Sequence, residues 1–577
     1  MTASQRNADV AGALHEIADL LELKGESRFR ILGYRRAADA IEALSIDVCE
    51  MSATQLTAVQ GVGKGVASRV LEFCSGGAIP ALERLRDEVP PGMRQLTGLP
   101  GLGPKRAMLA YRELGISTVD ELREAAEGQK LRGIKGFGPR SEEQILEALR
   151  QGVRGEQRML LARALPLAEA TLAEVGECDA VVDCAYAGSL RRMRETIGDI
   201  DLLAASERPA EVMEAFRSLR SVRTSKAEGP TKMSVITTRG VQIDLRVVEP
   251  DVFGAALQYF TGSQAHNVKV RQHAVRKGFK LSEYGLHRVS DDVLVASRTE
   301  EEIYERLGMQ WVPPTMREDR GEVEAALKGE LPRVVGLADM RGDLQSHSTY
   351  SDGRLSVRDM ALAAAERGYE YFAVTDHGAR LTYMRSLSLP DIERQRTEVE
   401  EINRELGSGM TLLHGVELNI AADGSLDYPD DVLAGFDLCV ASIHGQFRLS
   451  RDEQTRRLLR AIENPHVHVI GHPSGRRLDR REGIDFDVGE VAKAAARHRV
   501  ALEINAHPYR LDLRDEHVRW AREHSPAFVI STDAHSVTEL DNMHFGVATA
   551  QRGWLEADAA INTWPLERLR AFLRKAD

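Results

Sequence analysis

The sequence predicts a multidomain protein of α+β and α/β class: helical modules first, then a mixed sheet, then a β/α barrel. Three observations predict it. The chain has 577 residues, and at roughly 150 residues per domain that is three or four domains. Helix-like segments broken by Gly-rich turns fill residues 1–155, and β-rich runs alternate with helix over 156–255. Beyond residue 340 short apolar runs recur, each ending in a histidine or a carboxylate.

The helical part carries one form of turn three times: VQGVGKG (59–65), LPGLGPK (99–105) and IKGFGPR (134–140). Each sets Gly-x-Gly between helix-like segments and follows it with a basic residue. The glycines permit a tight turn. The next helix then begins with free backbone N–H groups, which suit a phosphate oxygen. One such turn is an ordinary connector; three at similar spacing read as helix-hairpin-helix units that grip a DNA backbone without sequence preference. The candidate DNA-binding residues are Gly61, Gly63, Lys64, Gly101, Gly103, Lys105, Gly136, Gly138 and Arg140, in helical domains spanning 1–85 and 86–155.

In the middle part AVVDCAYAGS (180–189), DIDLLAAS (199–206), KMSVITT (232–238) and VQIDLRVV (241–248) read as strands, and EVMEAFRSL (211–219) as a helix. Asp199 and Asp201 stand two apart, so alternation sends both to one face. Asp244 stands among apolar neighbours on a later strand. Three converging carboxylates would repel by on the order of several kcal/mol at an effective dielectric near 20. A pair of Mg²⁺ or Mn²⁺ ions about 4 Å apart would relieve this and organise in-line phosphoryl transfer. GSLRR (188–192) precedes Asp199: Gly188 allows close backbone approach, Ser189 can donate to a phosphate and Arg192 can pair with one.

This pattern resembles the nucleotidyltransferase core of X-family DNA polymerases, similar to DNA polymerase beta. YFTGSQAHNVKVR (259–271) extends the likeness, which covers residues 1–318. The resemblance implies a catalytic Asp199, Asp201 and Asp244 in a palm (156–255), and a nucleotide- and template-binding subdomain (256–318). It places Tyr259, Phe260 and Gly262 at the nucleotide sugar, Asn267 at the base and Arg271 at the template. Two positions depart from the family. The family's Schiff-base lysine lies six residues beyond the second Gly of the first turn, where this chain has Arg69, a poor amine nucleophile. Gln242 stands where the animal enzyme has a basic residue near the primer terminus.

Past a charged connector taken as a linker (319–339), the apolar runs YFAVTDH, LLHGVEL, LCVASIH, VHVIGHP, ALEIN and FVISTDAH recur mostly 27–40 residues apart. That is the period of a strand-helix unit. Ligand-type residues at the ends of successive strands mark a β/α barrel. Of 17 histidines, 13 fall in this part. GDLQSHSTYSDG (342–353), TDHG, GVELN, SIH, GHP and STDAH resemble the PHP (polymerase and histidinol phosphatase) domain over 340–577. The resemblance implies a distorted (β/α)7 barrel that hydrolyses phosphoesters with up to three Mn²⁺, Zn²⁺ or Fe²⁺ ions. Carried over by position, the ligands are Gln345, His347, Asp352, His377, Glu417, His444, His472, Asp533 and His535. The family motif opens on histidine where this chain has Gln345, and a carboxamide binds a cation more weakly than imidazole. Asp343 and Glu503 are candidate groups behind the ligands; His414, His466, His468 and His507 read as structural.

The expected function is therefore DNA-directed DNA synthesis for gap-filling repair, with a metal-dependent 3′→5′ exonuclease or abasic-site endonuclease in the barrel. The alternatives are a barrel that is structural or weakly active because of Gln345, a DNA-tethered phosphoesterase with a dead polymerase, and a repair scaffold. The partners would be gapped or primed duplex DNA and deoxynucleoside triphosphates, with a monomer as the expected state. A net charge of −12 counts against DNA binding at first sight, yet residues 1–160 hold 22 basic and 22 acidic side chains. No apolar run is long enough for a membrane span, and the N-terminus lacks a signal pattern. The five cysteines (49, 74, 178, 184, 439) show no metal or disulfide spacing, which fits a reducing cytoplasm and a nucleoid-associated enzyme.

Overall fold

The computed structural model describes residues 3–42, 48–59, 61–76, 79–89, 93, 96, 102–134, 136–150, 158–238, 240–379, 386–478 and 480–575. It divides into two compact units, 1–157 and 158–577. Among the described residues no helix is long and apolar enough to cross a membrane.

The first unit is helical around a core that includes Leu14, Ile17, Leu56, Val70, Leu102 and Leu122. Helices α1 (Lys64–Gly76), α2 (Pro104–Leu114) and α3 (Pro139–Arg150) each begin directly after the second glycine of a Gly-x-Gly turn. Pro104 and Pro139 pre-set φ at the first helical position. Gly61 and Gly136 take φ of +94° and +105°, which only glycine adopts without strain. Gly101 and the side chain of Arg140 lie outside the described residues.

One expectation is corrected here. Cys49 and Cys74 are joined in a disulfide, with Cα atoms 5.2 Å apart. The short turn Val48–Glu50 packs on α1 and closes a separation of 25 residues that no spacing rule flags.

In the second unit the palm sheet comprises β1 (Asp183–Tyr186), β2 (Ile200–Ala205), β3 (Val222–Glu228), β4 (Lys232–Thr237) and β5 (Gln242–Val248), in the order β1-β2-β5-β4-β3. Only β2 and β5 run parallel. Along β5 the buried Ile243, Leu245 and Val247 face the core, so Gln242, Asp244 and Arg246 share the other face. Helix α4 (Gly188–Arg191) follows β1. Helices α5 (Phe253–Thr261) and α6 (Gln264–Arg276) lead into a small antiparallel sheet of β6 (Phe279–Ser282), β7 (Gly285–Arg288) and β8 (Leu294–Ala296).

The stretch expected to be a linker is instead packed. Helix α7 (Glu322–Lys328) buries Val323 and Ala326 in the core of the 256–318 region, and Val335 lies in the barrel core. Of its charged residues Glu324 and Lys328 are exposed while Glu322 is buried 2.7 Å from His266, a division that composition alone does not separate from a linker.

The barrel strands β9 (Gly342–Asp343), β10 (Tyr371–Val374), β11 (Thr411–Asn419), β12 (Leu438–Ser442), β13 (Val469–Gly471), β14 (Ala501–Asn505) and β15 (Ala527–Ser531) pair in chain order, all parallel. A bridge between Ser346 and Ala534 brings the ends of the first and last strands together, giving a nearly closed seven-stranded barrel. Strands β10, β12, β13 and β14 are buried throughout, as parallel strands covered on both faces must be. Helix α8 (Met543–Arg552) follows the last strand. Leu511 and Phe545 of the barrel pack into the palm core, so the two share an apolar contact within this unit.

Candidate active sites

The register of the palm sheet builds the first site. Asp201 on β2 lies directly opposite Asp244 on β5, and Asp199 just precedes β2. Their carboxylate oxygens fall within 4.8 Å of one another. Burial, and then the Asp199 and Asp244 charges, push Asp201 up to about 7. Gly188 opens α4 against this cluster at φ +60°; a Cβ there would sit 2.2 Å from Asp201 Oδ2. Close backbone approach therefore requires glycine at 188.

The other residues expected at the nucleotide lie nearby. Arg192 at the end of α4 donates from Nη1 to the Thr261 carbonyl at 2.5 Å. Ser189 is partly buried on α4. Tyr259 and Phe260 meet edge to face, and the Arg246 guanidinium covers the Phe260 ring at 4.5 Å. Asn267 accepts from Gln258 at 2.9 Å and donates to the Tyr259 carbonyl at 2.7 Å, so its amide braces the turn at Gly262. Arg271 lies 6.0 Å from the Tyr259 ring. Gln242 donates to Asp244 Oδ1 at 2.9 Å and accepts from Lys226 at 2.8 Å. The departure at 242 thus has a partner that sequence reasoning missed: a lysine on β3, two strands away in the sheet.

The second site gathers at the C-terminal ends of the barrel strands. Glu417 near the end of β11 is its centre. His472 Nε2 and His444 Nε2 lie 3.0 and 3.3 Å from its Oε1, and His377 Nδ1 and His347 Nε2 lie 3.0 and 3.5 Å from its Oε2. Asp533 reaches His347 at 3.0 Å. Asp352 lies 3.3 Å from His535 and 3.6 Å from His377. Ligand-type atoms converge within 4.8 Å in three overlapping groups: His347, Asp352, His377 and His535; His377, Glu417 and His444; and His347, Glu417 and Asp533. His472 joins through Glu417. Gln345 is fully buried beside Gly471, and both polar atoms of its amide lack a hydrogen-bond partner.

Electrostatics explain how so many charges tolerate burial. Burial opposes ionisation of Glu417, yet His377 and His444 hold it well below the usual carboxylate range. Asp533 and Asp352 are lowered in the same way by His347 and His535. Burial brings His377 down to about 3, while Asp352 carries His535 up to about 10 against its own burial. Both Glu417 oxygens, His444 Nε2 and both His472 nitrogens are buried without hydrogen-bond geometry to any neighbour. Atoms that converge in this way, on a donor set of imidazole and carboxylate, fit divalent cations. His472 and Asp533 also hold positive φ, +26° and +56°, a strain met at sites whose surroundings fix the backbone.

A surrounding layer orients these side chains. Asn419 accepts from His444 Nδ1 at 2.6 Å, and Asn505 donates to Asp533 at 3.1 Å. Both stand at strand ends, in GVELN and ALEIN, and the repeat of that Asn was readable in the sequence. Asp376 collects Ser348 N–H at 2.8 Å and Gln395 at 2.6 Å, pinning the loop that carries His347 and Asp352. Asp343 is fully buried and pushed up to about 6 by that burial; it accepts from the Gln345 and Thr532 backbones. Buried Glu503 is raised well above the usual range and accepts the His472 N–H at 2.5 Å. His414 and His468 bond to Gln395 and to the Cys439 N–H, away from the cluster.

A carboxylate triad on a mixed palm sheet beside a histidine-rich phosphoesterase barrel defines a class: a nucleotidyltransferase and a metal-dependent hydrolase on one chain. Known proteins agree. Residues 256–318 match the DNA polymerase beta thumb family, 5–79 a helix-hairpin-helix domain, 93–151 a SAM-like helix-hairpin-helix tandem and 343–507 the PHP domain. The DNA polymerase/3′-5′ exonuclease PolX of Bacillus subtilis is 38% identical over 571 residues, 99% of each chain. DNA polymerase lambda of Rattus norvegicus is 23% identical over 55% of this chain and 57% of its own. A probable phosphatase of Shewanella sediminis is 28% identical over 40% of this chain and 93% of its own. The chain belongs to the bacterial X-family DNA polymerases with a C-terminal PHP domain.

Proposed function

We propose that the chain fills short gaps in DNA from the palm and trims 3′ ends from the barrel, as a repair enzyme of the bacterial nucleoid. The observation that carries this reading is the presence in one compact unit of both clusters, the Asp triad aligned by β2 and β5 and the barrel centre of eight histidines and carboxylates. In the palm, two Mg²⁺ or Mn²⁺ ions would offset the triad's repulsion and lower the pKa of the primer 3′-OH. Asp199, Asp201 and Asp244 would hold them, with Asp244 on the primer side. Ser189 and Arg192 would bind the triphosphate. Tyr259, Phe260 and Gly262 would line the sugar, with Asn267 at the base and Arg271 at the template. The turns at Gly61–Lys64, Gly101–Lys105 and Gly136–Arg140 would track the duplex phosphates, independent of sequence.

In the barrel, up to three Mn²⁺, Zn²⁺ or Fe²⁺ ions would acidify water for attack on a phosphodiester. His347, Asp352, His377, Glu417, His444, His472, Asp533 and His535 would hold them, with Gln345 as the weakest donor. Two further expectations belong to this reading: a monomer, and no Schiff-base lyase step at Arg69, whose guanidinium pairs with Glu72 at 2.5 Å. A weakly active barrel is the second reading, favoured by the unpartnered Gln345 amide. Primer extension and 3′-labelled strand degradation on gapped DNA, each with Mg²⁺ or Mn²⁺, test both. Asp244→Ala abolishes incorporation and leaves degradation; an unchanged incorporation rate would overturn the palm assignment. Wild-type protein that extends but does not degrade the strand in either metal decides for the second reading.

A further inference from the structure

Behind α4 four arginines and three carboxylates from the palm, the 256–318 region and its extension, and the barrel meet in one network. Arg192 donates from Nε to Glu318 Oε1 at 3.1 Å, in addition to its Nη1 bond to Thr261. Glu318 also takes Arg194 at 3.4 Å and Arg552 Nη1 at 2.9 Å. Arg552 ends α8 of the barrel. Its Nη1 donates to the backbone carbonyl of Arg192 at 2.8 Å, and its Nη2 to Asp515 at 2.7 Å. Arg320 reaches Asp515 at 3.0 Å. The side chains of Arg552, Glu318 and Arg192 are only 4%, 11% and 13% exposed.

Two features mark this network as more than glue between packed elements. It sets four arginines, Arg192, Arg194, Arg320 and Arg552, against three carboxylates: Glu318, Asp515 and, 3.6 Å from Arg320, Glu516. Arg192 is only 13% exposed and Glu318 is the carboxylate it pairs with, so loss of Glu318 leaves a buried guanidinium without its counter-charge. The network also fixes one guanidinium by its edge. With Nε held by Glu318 and Nη1 by Thr261, Arg192 keeps Nη2, which has no hydrogen-bond partner among the described residues. The turn at Gly262 closes on the same group, since a Cβ there would sit 3.2 Å from Arg192 Nη1. A planar fork held on two sides presents its third nitrogen in one direction.

We propose that Glu318 and, from the barrel, Arg552 are positioning residues of the polymerase nucleotide site. They hold the Arg192 guanidinium so that it meets the triphosphate of the incoming nucleotide. Arg552 acts through Glu318 and through the Arg192 carbonyl; it does not touch the nucleotide. The barrel thereby sets the affinity of the palm for its substrate, whatever its own hydrolytic rate. The inference rests on the assignment of Arg192 to the triphosphate.

The test is steady-state incorporation of a single deoxynucleotide on gapped DNA by the full-length chain, with 3′-end degradation measured on the same preparations. Glu318→Gln and Arg552→Gln are each expected to raise the KM for the nucleotide about tenfold, with kcat within about threefold, because a misplaced binding group costs binding and not chemistry. Degradation stays at the wild-type rate. The double variant raises KM no further than the larger single change, as for residues acting in one chain. An unchanged KM in both single variants overturns the proposal. So does a fall in kcat and degradation together, the result of a merely structural prop. If Arg552→Gln does not fold, Glu318→Gln decides alone. Arg192→Ala separates the layers: if it leaves KM unchanged, the triphosphate assignment itself fails; if it raises KM while the other two do not, only this inference fails.

Discussion

In the palm, three carboxylates face one another with no imidazole in their group; in the barrel, buried Glu417 and Asp533 and the more exposed Asp352 stand among five imidazoles. The difference shows in the proton affinities. Asp201 is pushed up to about 7, so near neutral pH the palm carries part of a proton in place of a cation. Glu417 and Asp533 are held well down, because each has imidazoles beside it. The palm is electrostatically incomplete without its ions, as suits ions that arrive with a charged substrate. The barrel is internally compensated, as suits ions that stay. Two sites that hydrolyse or form the same phosphodiester bond need not share a strategy for crowded charge.

The sharpest way to break this contrast is to cut one site and watch the other. His472 lies 3.0 Å from Glu417 and on no palm element. His472→Ala should lower degradation of a 3′-labelled strand in Mn²⁺ by about a hundredfold or more, the scale of losing one preorganised group at a reacting centre. Extension should stay at its wild-type rate. Degradation that survives would point to a contaminating nuclease, and a joint loss of both activities would erase the separation between the two sites.

A smaller effect sharpens the palm half. Asp201 is raised in the folded state, so its contribution to stability is present below its unfolded value near 4. It is lost as pH rises through about 7. Asp201→Asn removes that loss. In metal-free buffer the variant should melt higher than wild type at pH 8, by about 1–4 kcal/mol in unfolding free energy, and level with it at pH 4. Saturating Mn²⁺ should close the gap at pH 8. A variant less stable than wild type at pH 8 would mean that burial, not repulsion, is misjudged at this carboxylate.

What the sequence disclosed about these sites follows from how local each signal is. The histidines and carboxylates of the barrel centre were legible because each repeats one unit, an apolar strand with a donor at its end; the spacing rule needed no partner. Asp199 and Asp201 were legible from alternation within a single strand. The pairing of Asp201 with Asp244 was an inference only, since it depends on β5 returning beside β2 after β3 and β4. Lys226 behind Gln242, the Cys49–Cys74 bond and the Arg552–Glu318 contact across 234 residues left no pattern at all. Such contacts are set by packing between elements, and neither periodicity nor composition encodes which faces meet. The segment 319–339 misled for the same reason: charged residues on a packed helix look like those of a solvated connector.

The smallest effect tests Gln345, the weakest of the proposed donors in the barrel. Gln345 sits on the loop after β9, fully buried, with Oε1 3.5 Å from where a Cβ on Gly471 would lie and with neither amide atom bonded. The buried carboxylates of the barrel are of two kinds. Burial raises Asp343 to about 6 and Glu503 well above the usual carboxylate range, whereas His377 and His444 hold Glu417 well below it. A neutral donor at 345 therefore adds ligand strength without adding repulsion. Gln345→His replaces a carboxamide with an imidazole of similar size, and imidazole suits Mn²⁺ or Zn²⁺ better. Metal retained after dialysis should rise, with affinity at the weakest site tighter by about tenfold, or about 1.4 kcal/mol. Degradation should increase a few-fold while extension does not change. Equal retention in variant and wild type would place Gln345 outside the ligand set and leave the barrel centre complete without it.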